Sequence, residues 1–168
     1  MAIKLRWLAA AGIAAVVIAT AYKNLTAEPG AMNAVQVTTI DNQKIKFADW
    51  QKEGKVTVVN FWATSCTTCV KEMPKLVEMY NKLQPKGLAY VAVAMQYDNP
   101  AYVKNFATDK NLPFPVVWDG EGRLNEQFGH IIGTPTTFVI DKNGKIIKRY
   151  VGEPDWTDIY AVIEKELA

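Results

Sequence analysis

The seven residues Val56–Trp62 (VTVVNFW) form an unbroken β-branched and aromatic run. The only two cysteines of this 168-residue chain follow it almost at once, in Ala63-Thr64-Ser65-Cys66-Thr67-Thr68-Cys69. A continuous apolar run of this length, bounded by polar residues, reads as a strand buried on both faces. Such a strand needs neighbours on either side and cover above and below, so it dictates a layered α/β architecture. From Cys66 to about Gln84, Met73, Leu76, Val77, Tyr80 and Leu83 recur at helical spacing, so a helix follows the strand. Pro74 inside it lacks a backbone donor and is expected to kink it.

The remaining chain repeats the alternation. Leu88–Met95 (LAYVAVAM) reads as a second buried strand, and Pro100–Lys110 as a helix with Tyr102, Val103 and Phe106 turned inward. Phe114–Trp118 reads as a short strand and Arg123–Phe128 as a helical turn or two, stopped by Gly129. Thr136–Ile140 and Lys145–Val151 read as two strands joined by Asp141-Lys142-Asn143-Gly144, where Asn-Gly is a hairpin signal. Asp155–Leu167 closes the chain as a helix with Ile159, Val162 and Ile163 inward, and a β-ribbon is expected around Val35–Phe47. The fold class is α/β: a mixed, largely parallel central sheet with helices on both faces. With 49% hydrophobic and 21% charged residues, the chain can fill a core without cross-links.

The first segment differs from the rest. Residues 1–22 carry Lys4 and Arg6 and no acid, then sixteen uncharged residues from Trp7 to Tyr22. As a helix those sixteen span about 24 Å, short of the roughly 30 Å hydrocarbon core. Two readings stay open. One is a secretory signal cut after Ala19-Thr20-Ala21. The other is an uncleaved anchor with Lys4 and Arg6 inside and Trp7 and Tyr22 at the two interfaces. Either puts the following domain across the membrane, in the periplasm or outside the bacterial inner membrane. Residues 23–33 (KNLTAEPGAMN) read as a linker, and 34–168 as one domain. The net charge is +2; of 19 basic residues, setting aside Lys4 and Arg6 leaves 17, matching the 17 acidic ones. No basic run with interleaved aromatics is present, so nothing supports nucleic-acid binding.

Three chemistries fit two cysteines so close together. As a staple, Cys66–Cys69 would close a very short loop and stabilise little, because loop-closure stabilisation grows with loop length. As a metal site, the pair needs partners. Structural zinc takes four ligands, and the chain offers two Cys and the single His130. A copper-binding chaperone using Cys66, Cys69 and His130 suits copper's preference for soft ligands better. As a redox pair, Cys66 stands at a helix N-terminus, where unpaired N–H groups and the helix dipole favour the thiolate. Cys69, one turn on and more buried, could then resolve a mixed disulfide. The position of CxxC after a βαβ-type strand favours the redox reading.

VVNFWATSCTTCVKEMP and GTPTTFVIDKNGK together resemble the thioredoxin fold. More closely, they are similar to the TlpA/ResA family of membrane-tethered thioredoxin-like thiol–disulfide oxidoreductases, over about Ala34 to the C-terminus. The resemblance implies a redox-active Cys66–Cys69 disulfide with Cys66 as nucleophile and Cys69 as resolving thiol, and no other cofactor. It implies a cis-proline at Pro135, with Thr134 and Pro135 facing the dithiol and binding client backbone. Trp62, at the strand end beside the dithiol, reads as both core and active-site wall. It also places at Glu72 a carboxyl that could exchange protons with Cys69, as an alternative to an ordinary exposed first-turn acid. Thioredoxin's buried aspartate is replaced by Asn60, which cannot carry a proton. Ser65 stands where many relatives have tryptophan, and Thr67-Thr68 differs from thioredoxin's Gly-Pro.

The function implied is an extracytoplasmic reductase of partner-protein disulfides, re-reduced by a membrane electron donor. Its clients would be apocytochrome c or a copper-site assembly protein. A thiol peroxidase is the other enzyme class considered. Peroxiredoxin-type activation requires Pro and Thr or Ser where this chain has Val59 and Ala63. Tyr97, Trp118 and Phe138 read as core or rim residues.

Overall fold

The computed structural model describes residues 32–168. The expected membrane segment 1–22 and nearly all of the linker lie outside the described residues. Met32–Ala34, at the end of the expected linker, forms a 3-10 turn that belongs to the folded unit: Met32 is buried and its N–H donates to Gly144 O at 2.7 Å.

Strands β1 (Gln36–Thr38) and β2 (Lys44–Lys46) pair antiparallel, and helix α1 (Phe47–Lys52) follows directly. Then come β3 (Val56–Trp62), α2 (Thr67–Leu83), β4 (Leu88–Ala94), α3 (Pro100–Asp109), β5 (Val116–Trp118), α4 (Arg123–Gln127), β6 (Thr136–Ile140), β7 (Ile146–Val151) and α5 (Trp156–Leu167). The central sheet has the order β5-β4-β3-β6-β7. β3 runs parallel to β4 and antiparallel to β6, so it lies in the middle. β4–β5 is parallel and β6–β7 antiparallel.

β3 alternates as a strand must. Val56, Val58 and Trp62 face one layer, with Met73, Leu76 and Met79 of α2, Val103 of α3, and Ile159 and Ile163 of α5. Val59 and Phe61 face the other, with Phe47 of α1, Leu124 of α4, Phe128 and Phe138. Every residue of β3 and of β4 is buried, which explains why their sequences show no period-two polarity.

Several boundaries differ from the sequence reading by one or two residues, as helix and strand ends commonly do. α2 starts at Thr67 with Cys66 as its N-cap, and it runs through Pro74 as one helix to Leu83. α5 starts at Trp156, because Asp155 is its N-cap and accepts the N–H groups of Thr157 (2.8 Å) and Asp158 (3.2 Å). Tyr102 is not turned inward but 63% exposed. The buried side of α3 is set by Val103, and one residue is about 100° of helix, enough to carry Tyr102 outward.

The Asp141–Gly144 turn shows how closely local sequence is specified. Asp141 Oδ1 accepts the N–H groups of Asn143 (2.9 Å) and Lys145 (2.8 Å). Gly144 takes a left-handed φ of 83°. A Cβ at Gly144 would meet the movable ends of the Asn33 and Gln51 side chains, so it is the left-handed conformation that asks for glycine. Gly144→Ala is therefore expected to destabilise the fold by more than about 1 kcal/mol, read as a lowered urea midpoint with an unchanged slope.

Candidate active site

The site is assembled where the C-terminal end of β3 hands over to α2. The loop Ala63–Ser65 carries Cys66 to the cap position of α2, and Cys66 and Cys69 are disulfide-bonded with their Cα atoms 5.2 Å apart. The backbone N–H of Cys69 points at Cys66 Sγ, 3.2 Å away. This is one of the unpaired donors of the first helical turn, and it would stabilise a thiolate on Cys66 once the disulfide opens. Cys66 is half-buried and Cys69 fully buried, so one sulfur can meet a partner and the other is held beneath it.

Opposite the pair lies the turn before β6. The Thr134–Pro135 peptide bond is cis. Thr134 O sits 3.5 Å from Cys66 Sγ. In the disulfide that sulfur carries no proton, so this is a contact; in the thiol form the same geometry suits an S–H donor. Pro135 is buried and Thr134 half-exposed. Tyr97, 61% exposed, places its hydroxyl 3.3 Å from Thr134 Oγ1 and belongs to the rim of the site. Trp118 is half-exposed at the end of edge strand β5, with its indole N–H donating to Asp98 O at 3.0 Å, whereas Phe138 is core.

Trp62 does not line the site. It is 0% exposed and packs against Phe106 with ring centroids 5.1 Å apart. The alternation of β3 sends it into the layer under α2 and α3, so it is core, and the wall half of its expected mixed role is corrected.

Glu72 is only 1% exposed, one helical turn past Cys69 on the inner side of α2. Asn60 Nδ2 donates to its Oε1 at 3.3 Å and to Thr137 Oγ1 at 2.9 Å. Burial pushes the Glu72 carboxyl up to about 7; the Asn60 hydrogen bond and Lys75 pull it down, and Glu153 adds to the rise. Desolvation disfavours the charged form, and one neutral donor does not offset it. The sequence held a signal for this burial. Glu72 lies three residues after Cys69 and four before Leu76, in the middle of the buried stripe Cys69, Met73, Leu76, Met79 and Leu83.

Two contributors, Asp98 and Thr137, were not legible beforehand, nor was the contact of Asn60 with Glu72. Asp98 is buried and clamps the active-site loop: it accepts the Thr64 N–H and, at 2.6 Å, the Thr64 hydroxyl. Thr137 reaches Asn60, and so holds it beside Glu72, because β3 and β6 pair in the register Asn60↔Thr137. A register between strands 77 residues apart leaves no local trace.

His130 is exposed, at a left-handed φ of 58°, and is not gathered with the cysteines. Among the described residues no three His, Cys, Asp or Glu side chains come together as metal ligands. The copper reading thus lacks its third ligand. Val59 and Ala63 are both buried apolar residues and supply no hydroxyl for peroxide activation.

Known proteins resemble this chain. The sequence profile of the Redoxin family matches residues 26–165. The thiol-disulfide oxidoreductase ResA of Bacillus thuringiensis subsp. konkukian is 40% identical over 117 residues, covering 70% of this chain and 65% of that protein. The match therefore spans just under two thirds of that relative's length. ResA of Bacillus anthracis is 35% identical over 129 residues, 77% of this chain and 72% of the relative. Among solved structures, a thiol:disulfide interchange protein of the thioredoxin family from Chlorobium tepidum superposes with a TM-score of 0.74 at 28% identity, covering 84% of this chain and 99% of that one. A dithiol at the head of a helix, a cis-proline facing it and these relatives agree: the chain belongs to the redoxin family, in the TlpA/ResA branch of thioredoxin-like proteins.

Proposed function

We propose that the chain is a thiol–disulfide oxidoreductase that donates electrons to disulfides of partner proteins. The observation that carries this is the asymmetry of the pair: half-buried Cys66 beside Thr134 O, buried Cys69 beneath it, and the Glu72 carboxyl one turn below. In the reduced protein, the Cys66 thiolate attacks one sulfur of a client disulfide. A Cys66–client disulfide forms and the client S–S bond breaks, releasing a client thiolate that takes up a proton. Cys69 then loses its proton and attacks Cys66 Sγ. The Cys66–Cys69 bond forms, the mixed disulfide breaks, and the second client thiol leaves. The client gains two electrons and two protons; the protein gives up two electrons and the Cys69 proton, and solvent supplies the other proton.

Glu72 is assigned the proton of Cys69. A carboxyl with a pKa of about 7 is half ionised near neutrality, the condition for passing a proton in either direction. Thr134 and Pro135 present backbone to an extended client, and Thr134 O lies within reach of Cys66 for that purpose. We assign the first twenty-two residues to a membrane tether or export signal, with the redox domain on the outer side of the bacterial inner membrane. Its clients are extracytoplasmic disulfide proteins, of which apocytochrome c and copper-site assembly proteins are the first to test. A thiol-reducing membrane protein would return the electrons. No helix among the described residues is long and apolar enough to cross a membrane.

Cys69→Ala removes the resolving thiol, and cells expressing it are expected to accumulate client proteins covalently bound through Cys66. Recovering the variant free of any mixed disulfide, while the wild type remains active, would remove the proposal's support. Glu72→Gln is expected to slow resolution by about 10²-fold and to abolish a rate inflection near pH 7, followed by stopped-flow quenching with a model disulfide. Stability gives an independent check. Glu72 holds its proton more tightly folded (about 7) than unfolded (4.5), so its contribution is complete below pH 4.5 and is lost as pH rises through about 7. Between those limits the wild type should lose up to about 3 kcal/mol relative to Glu72→Gln, measured as paired urea midpoints across pH.

A further inference from the structure

Four buried polar side-chain atoms find no hydrogen-bond partner among the described residues: Asn60 Oδ1, Trp62 Nε1, Glu72 Oε2 and Tyr90 Oη. Two of them belong to a single pair. Asn60 Nδ2 already donates to Glu72 Oε1, so the unpartnered atoms are the other halves of the same amide and the same carboxyl. Both are acceptors when Glu72 is ionised, and buried acceptors without donors are costly. One proton on Glu72 Oε2 changes this. A carboxylic acid and a primary amide are complementary: the amide N–H donates to one acid oxygen while the acid O–H donates to the amide oxygen. Aspartate at position 60 would set carboxylate against carboxylate, and an apolar residue would offer neither contact. Asparagine is the side chain that can serve both protonation states.

Asn60 is itself held. Its second N–H goes to Thr137 Oγ1, its direct partner across β3 and β6. We propose that Asn60, pinned by Thr137, is a positioning residue for Glu72: a two-point clamp on the protonated acid and a single N–H donor to the carboxylate. This rests on the reading of Glu72 as the proton exchanger of Cys69. The clamp lets the proton leave and return without the carboxyl losing its place. It also ties Glu72 to β6, two residues beyond Pro135. The other groups facing Glu72 are Lys75 on its own helix, Glu153 after β7 and Tyr90 of β4. Lys75 and Glu153 are paired with each other at 3.1 Å, and none of the three hydrogen-bonds Glu72.

The test is a pH titration of the full-length oxidised protein by NMR, following Glu72 Cδ and the Asn60 side-chain NH2 from about pH 5 to about pH 9. The Asn60 amide protons should move with the Glu72 midpoint and stay protected from solvent exchange on both sides of it. Thr137→Val keeps the shape and removes the acceptor. It should shift the Glu72 midpoint by about one unit and speed exchange of the Asn60 amide at least about tenfold, with Thr137→Ser restoring both. A merely structural role for Thr137 would lower stability and leave the midpoint in place. Asn60 protons that ignore the Glu72 titration, or a Thr137→Val midpoint equal to the wild type's, overturn the clamp. If Thr137→Val does not fold, the wild-type spectrum decides alone. If Glu72 titrates in the ordinary carboxylate range but Asn60 follows it and stays protected, the clamp stands and the proton-exchange role falls.

Discussion

Strand β3 must be satisfied in four directions at once, and that requirement organises the molecule. Its edges are taken by β4 on one side and β6 on the other, and its faces by the α2, α3 and α5 layer and by the α1 and α4 layer. A strand enclosed this way has one exit, its C-terminal end, and the chain leaves there into Ala63–Ser65 and the first turn of α2. The dithiol therefore sits at the boundary between a rigid, dry interior and solvent. Ligand and catalytic sites of open α/β sheets tend to lie at this place, outside the carboxyl ends of the strands.

Two kinds of charge control meet there. At the surface, Cys66 lies against the N–H of Cys69 at a helix start, a setting that favours an anion. Inside, Glu72 lies in a layer of apolar side chains with one amide donor, a setting that disfavours one. The two settings lie on the first two turns of α2, with Cys69 between them. This is the separation expected of a site that needs a ready nucleophile on one sulfur and a managed proton on the other. Asp98 and Thr64 keep the loop between the strand and the helix in place, so the geometry does not depend on the disulfide alone.

Much of this was legible from residues in order. The buried runs of β3 and β4, the DKNG turn and the helical stripe from Cys69 to Leu83 are local patterns, and local patterns report secondary structure directly. Errors fell where neighbouring positions on one element compete for the inside. Tyr102 and Val103 are adjacent on α3, and only packing against the sheet decides which turns inward. Trp62 looked suited to a binding wall by its place next to CxxC. The parity of β3 and the cover of Phe106 made it core.

By itself the sequence determined the element order, the α/β class and the dithiol at the head of a helix, because each depends on residues close together in the chain; the proline facing the dithiol was expected only from the family resemblance. Tertiary structure alone decided that Asn60 stands between Thr137 and Glu72, that Asp98 holds Thr64, and that His130 stays away from the cysteines. Those outcomes depend on strand register and on which loops meet at the sheet's edge. Such long-range choices are made by the summed burial of many side chains, and no single stretch of sequence records them.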